Sequence, residues 1–302
     1  MIRERRAYRS GIAGIDNGGM NAIVYQPQVI VLKRRNSQHI QHTMERPSAE
    51  KPIIALGPWL ETPAGSYARA WQQARLDMLT ADIFGFNAMQ IGLPQVNALQ
   101  ANRMPNKWLT DTHVPPDNGL DGRAPIVVVH DFSELPFASQ SLDLIVLPHV
   151  LEFASEPHQV LREVERVLRP EGQVIIVGFN PASMWGLRQI AGRLTGAHFL
   201  PPEGEFISVP RLKDWLKLLN MEVSRGHFGC YAPPCLTEKW LNRFTFMEGA
   251  GDRWWPYLGA VYIVHAIKRV RGMRLIGPVW AKKSATAAQG VPATNRIQKK
   301  PH

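Results

Sequence analysis

Apolar and polar residues are arranged along this chain in blocks whose period changes from element to element. Tyr67, Ala70, Trp71, Ala74 and Met78 recur at a helical period behind Thr62 and Pro63, which suit an N-cap and a first helical position. Residues 87–91 read as a strand that stops at Gly92, and a second strand falls near residues 107–110. From 127 to 181 the pattern is clearest. An apolar strand ends in Asp131, a second covers 142–147, and a helix follows with Ser155 as its cap and Pro157 in its first turn. Val160, Leu161, Val164, Val167 and Leu168 form that helix's apolar stripe, opposite Arg162, Glu163, Glu165 and Arg166. A Pro-Glu-Gly turn then opens a strand over 174–179. Ser208 and Pro210 start a further helix, with Leu212, Trp215, Leu216 and Leu219 on one side and Asn220 as its stop. Strands are predicted over 222–226 and 261–268.

Strands alternating with amphipathic helices imply a doubly wound α/β fold, in which ligands sit beyond the carboxyl ends of the strands. The blocks set the domain boundaries. Residues 1–50 lack a sustained period and read as a poorly structured extension, 51–269 as the folded domain, and 270–302 as a basic, disordered tail. Within the domain, 182–207 is a candidate substrate lid, and 229–256 is a Pro/Gly-rich excursion. Met44 opens the segment that leads into patterned sequence. Residues 1–43 are therefore read as an upstream extension outside the true start, which mass spectrometry of the native N-terminus tests.

Composition narrows the function classes. The chain has 302 residues, 45% apolar and 20% charged, which is ordinary globular material. Its net charge of +10 belongs to the ends: residues 1–43 carry +5, residues 268–302 carry +9, and residues 44–267 are left at −4. Basic ends can hold nucleic acid, yet an acidic body argues against a nucleic-acid enzyme, whose cleft is usually basic. Cys230 and Cys235 are two free thiols without metal-ligand or redox spacing, so no metal is assigned. No apolar run reaches the roughly 18–20 residues of a membrane span, and no signal region follows the basic N-terminus. A cytoplasmic protein without a membrane partner is the expectation. Nothing in the chain bears on its oligomeric state.

The segments D131-F-S-E-L-P-F, S141-L-D-L-I-V, H149-V-L-E-F and R166-V-L-R-P-E-G resemble class I S-adenosylmethionine-dependent methyltransferases. Among these, the chain is most similar to the small-molecule type, and more narrowly to an uncharacterised bacterial branch. The resemblance covers about residues 60–268 and is strongest over 127–181. It implies a Rossmann-like, seven-stranded sheet, mostly parallel, with an antiparallel last strand at 261–268, and S-adenosylmethionine as cofactor. Asp131 is similar to the acid that accepts from the adenine amino group, with Phe132 flanking the ring. Leu147, Pro148 and His149 lie where the family packs against the cofactor. His149 is read as a pocket-shaping residue ahead of a general base. Asp143, inside a strand, is read as structural. Asn180-Pro181 lacks the aromatic residue and the position of the nucleic-acid amino-methyltransferase signature.

One departure matters. The family follows its first strand with an acid and a glycine-rich loop, whose glycines let the backbone approach the cofactor. Here Gln90 replaces the acid, Gly92 remains, and Pro94 takes the second glycine's place and removes a donor. Asp111 is the candidate acid for the ribose hydroxyls. Three readings follow: a methyltransferase acting on an unknown small-molecule acceptor, a catalytically degenerate relative serving as a binding or regulatory module, or a nucleic-acid binder working through its basic ends. No catalytic residue is assigned.

Overall fold

A computed structural model of the chain describes residues 56–111, 132–244 and 246–269, together with the backbone of 20–26, 29–34 and 126–128. The tail at 270–302, Asp131, and most of the stretch before residue 56 lie outside the described residues. The strands are β1 Met20–Gln26, β2 Val29–Arg34, β3 Asn87–Ile91, β4 Asn106–Asp111, β5 Ile126–Val128, β6 Leu142–Pro148, β7 Leu168–Phe179, β8 Met221–Gly229 and β9 Val261–Lys268. The helices are α1 Leu56–Leu60, α2 Pro63–Ala81, α3 Val150–Phe153, α4 Pro157–Val167, α5 Met184–Thr195, α6 Val209–Leu218, α7 Glu238–Arg243 and α8 Phe246–Trp254.

All nine strands join one sheet in the order β1-β2-β5-β4-β3-β6-β7-β9-β8. Strands β2 to β7 pair in parallel, and β9 runs antiparallel between β7 and β8, as expected of the last strand. The expected count of seven is exceeded. An antiparallel pair, β1 and β2, adds itself to β5 through Val29↔Ile126, within a stretch whose pattern predicts no structure. A hairpin placed there occupies the edge that β5 would otherwise leave open.

Alternate residues of the central strands face two cores. Ala88, Leu144, Val146, Ile175, Val177 and Ile263 point to one side, where α1, α2 and Trp185 of α5 cover them. Met89, Ile145, Leu147, Ile176 and Val264 point to the other, under α4 and α6. Both faces of β3 are covered, so its last four residues, polar Gln90 included, are buried.

Local expectations are met unevenly. Thr62 caps α2 by accepting from the Gly65 N–H at 3.2 Å. The buried stripe of α2, however, is Ala64, Ala68, Gln72, Leu76 and Thr80, and Met78 faces water. The polar residues on that stripe are buried with partners, Gln72 with His149 and Thr80 with the Leu76 carbonyl. Helix α4 begins one residue later than predicted, with Glu156 at the N-cap in place of Ser155. The Pro-Glu-Gly turn is a kink inside β7, with Glu171 at φ 63°. Asn220, at φ 55°, stops α6 as expected.

Candidate functional site

The order places β3 between β4 and β6, with β4 and β6 reached by connections leaving in opposite directions. That is the switch point of an open sheet, where a crevice forms beyond the carboxyl ends. Register brings the candidate residues to this edge: Ile91 pairs with Thr110, and Gln90 with Val146. Gly92, Asp111 and the Leu147–His149 turn therefore stand side by side at the ends of three neighbouring strands.

The loop after β3 is built unlike a glycine-rich cradle. Residues 92–105 cross to β4 without a helix. Gly92 and Leu93 take left-handed φ values of 66° and 49°, which reverse the chain at the strand end. The Gly92 N–H donates to the Thr110 carbonyl at 2.6 Å. Gln90 then holds the loop from inside. Its amide nitrogen reaches the carbonyls of Gly92, Leu93 and Val96 at 3.1, 3.1 and 2.7 Å, and its oxygen accepts from Ala98 N–H at 2.9 Å. From outside, Gln73 of α2 donates to the Asn97 carbonyl and accepts from the Asn97 N–H. Leu93, Val96, Ala98 and Leu99 are buried, filling the layer a crossover helix would occupy. Beside the loop a cavity of about 20 Å³, lined by Gln90, Pro94, Asn97 and Trp108, has room for about one water.

On the neighbouring strand, His149 ends β6 at a left-handed φ of 57° and is fully buried. Its Nδ1 lies 2.7 Å from Glu152 Oε2, and its Nε2 2.9 Å from the side-chain nitrogen of Gln72. A carboxylate only accepts, so Nδ1 carries the proton and Nε2 accepts from Gln72. Glu152 Oε1 also accepts from the Phe179 N–H, and the Phe179 ring lies against His149, with centroids 4.3 Å apart and the planes tilted by 32°. Burial pushes the Glu152 carboxyl above its ordinary range, against the opposing pull of His149 and the Phe179 amide. The cluster bolts together α2, the end of β6, α3 and the end of β7. Sequence reading missed Glu152 and Gln72. The charged residue in the apolar run V-L-E-F was the available signal, since a buried carboxylate needs a partner.

The remaining candidates are placed as follows. Leu147 is buried in the core under α4, and so is Phe132, which packs with Leu135 in that layer. Asp131 lies outside the described residues. Asp143 ties strand starts together: its Oδ2 accepts from the Phe86 and Asn87 N–H groups at 2.8 and 2.9 Å, and Oδ1 pairs with Arg169 at 3.1 Å. This is the structural role predicted for it. The lid candidate contains α5, which Ser183 caps through the Gly186 N–H at 3.1 Å. The helix is anchored by Trp185, whose indole N–H donates to the Ala232 carbonyl.

S-adenosylmethionine requires acceptors for its ribose and adenine and room for its aminoacyl end. Asp111, at the end of β4, lies next to the left-handed turn at Gly92. The bonds of the Gln90 amide run within the loop.

A methyltransferase domain family matches residues 110–176, the segment from β4 to β7. The chain is 29% identical over 247 residues to YafS of Escherichia coli (strain K12), an uncharacterised protein, covering 82% of this chain and 95% of that one. It is 37% identical over 78 residues to a malonyl-[acyl-carrier protein] O-methyltransferase of Laribacter hongkongensis (strain HLHK9), covering 26% of each chain. A solved S-adenosylmethionine-dependent methyltransferase of Archaeoglobus fulgidus superposes with a TM-score of 0.48 at 17% identity, over 66% of this chain and 94% of that one.

Proposed function

We propose that this chain, which matches a methyltransferase domain family over residues 110–176, is a class I S-adenosylmethionine-dependent methyltransferase that transfers a methyl group from S-adenosylmethionine to a small-molecule acceptor. The observation that carries this reading is the convergence of Gly92, Asp111 and the His149 turn at the switch point of the sheet. When bound, S-adenosylmethionine supplies an electrophilic methyl group. Asp111 would accept from the ribose hydroxyls, and Asp131 from the adenine amino group, with Phe132 beneath. The Leu147–His149 turn would form the wall between cofactor and acceptor.

His149 acts here as a positioning residue. Both ring nitrogens are occupied, by Glu152 and Gln72, so neither is open to an acceptor's proton. Rate enhancement would then come from holding the acceptor's nucleophilic atom in line with the methyl group, which can supply much of the barrier reduction. Incubation with methyl-tritiated S-adenosylmethionine and the low-mass fraction of a cell extract tests this. Label is expected in a low-mass product. Label in macromolecules alone, or in nothing while cofactor binds, contradicts the small-molecule reading.

A further inference from the structure

Two histidines occupy the β8–β9 edge of the sheet, on the face that α2 covers. Arg225 of β8 pairs with His265 of β9, and His227 with Ile263, so the two imidazoles are diagonal neighbours on one face. Val261 and Ile263 of β9 and Ile175 and Val177 of β7 lie on that same face and pack into the core under α2. The helix keeps a fixed register with β8. Trp71 rests on Gly229, where any side chain would overlap the indole. Arg75, one helical turn further along α2, lies with its guanidinium 5.9 Å from the Trp71 ring centroid and faces His227, two residues back along β8.

Each imidazole keeps one nitrogen without a partner. His265 Nε2 lies 2.7 Å from Gln173 Oε1. An amide oxygen only accepts, so Nε2 carries the ring's proton and Nδ1 is bare. That Nδ1 is buried without a partner among the described residues, and so is Nε2 of His227. A second proton on His265 would enter on Nδ1, away from water and with no acceptor to receive it.

The neighbouring charges oppose such a proton as well. Arg75 and Arg225 act on His227, with Asp252 of α8 pulling the other way, and Arg225 and His227 act on His265. Burial first, and these charges second, hold both rings below the ordinary imidazole value of 6.5. Helix α2 links this edge to the crevice. Trp71 and Arg75 face the histidines, while the intervening Gln72 bonds to His149 and Gln73 to Asn97 in the loop after β3.

We propose that His227 and His265 form an acid-sensitive latch that fastens α2 to the β8–β9 edge. Uncharged, the rings let Arg75 and Arg225 close over the edge. Charged, they repel both arginines and weaken the hold of the edge on α2. The latch is read from folding, so it stands or falls separately from methyl transfer.

A ring held below 6.5 binds its proton more weakly in the folded chain than in the unfolded one. Its support for the fold is complete above 6.5 and is lost as pH falls through the folded value. Urea denaturation at about pH 7.5 and about pH 5 compares wild type with a chain carrying His227→Gln and His265→Gln, in which neither side chain titrates. Glu152 and Asp143 titrate in both chains and cancel in the comparison. Each histidine can raise the unfolding constant by up to about tenfold per pH unit. Between the two conditions wild type should therefore lose at least about tenfold more in its folding equilibrium than the variant. An equal loss in the two chains overturns the proposal.

Should the variant fail to fold, proton NMR of the histidine rings decides on the remaining proteins. Both rings should titrate below 6.5 in wild type. The midpoint of His227 should rise in Arg75→Gln, and the midpoints of both rings in Arg225→Gln. A ring that titrates at or above 6.5, or that stays put when its arginine is removed, overturns the latch.

Discussion

The side-chain amide of Gln90 donates to the carbonyl of Val96 at 2.7 Å, across the loop where methyltransferases of this superfamily carry glycines. The same amide reaches two further carbonyls, and its oxygen receives the Ala98 N–H. One buried side chain thus replaces the local order that a crossover helix would supply. Gln90→Ala should lose about 2–4 kcal/mol of stability, because several buried backbone groups are left without partners. Gln90→Asp, which restores the superfamily's acid, should not recover it, since a carboxylate cannot donate to three carbonyls. Urea denaturation of the three proteins measures both effects.

Beyond the end of β6, Glu152 serves His149 and Phe179 together. Glu152→Ala should cost about 3–5 kcal/mol, the penalty for breaking a buried, hydrogen-bonded pair. Glu152→Gln keeps an oxygen for the Phe179 amide and should be milder. Equal losses in thermal or denaturant unfolding would show that the retained oxygen contributes nothing and that the carboxylate itself carries the contact.

Asp143 carries a pH signature. Burial raises its carboxyl, but the N–H groups of Phe86 and Asn87, with Arg169, outweigh burial and hold it below 3.8. A depressed folded value means that its contribution is fully present above the ordinary value and lost as pH falls through the depressed one. Asp143→Asn should cost about 1–2 kcal/mol at neutral pH. The gap from wild type should close below pH 3.8, as the wild-type carboxyl takes up its proton.

The sheet was more legible in the sequence than the site. Strand β9 occupies Val261–Lys268, as its apolar pattern predicts, and β3 occupies Asn87–Ile91. Each is a short run with clear stops, so local pattern suffices. Helix α2 misled because Gln72 and Thr80 are buried through partners that no periodicity reveals: His149 for one, the Leu76 carbonyl for the other. The β1–β2 pair was invisible because edge strands owe their structure to a neighbour, here β5, distant in sequence. At the site, Gln90 reads as a lost acid. Only its contacts with residues 92–98 show that the substitution and the unusual loop belong together.

In the proposed reading, Asp131 accepts from the adenine amino group. Asp131→Ala should weaken binding of S-adenosylhomocysteine by about 1–3 kcal/mol, the worth of one charge-assisted hydrogen bond. Asp111→Ala should weaken it similarly through the ribose. An unchanged affinity in either variant would mean that the nucleoside lies elsewhere along the edge.

Calorimetric titration of the full chain with S-adenosylmethionine and S-adenosylhomocysteine tests the central claim most directly. A crevice formed by Gly92, Asp111 and the His149 turn should give saturable binding at one site for both ligands. No detectable heat at millimolar ligand would contradict it, and would mean that the loop held by Gln90 has closed the cofactor site.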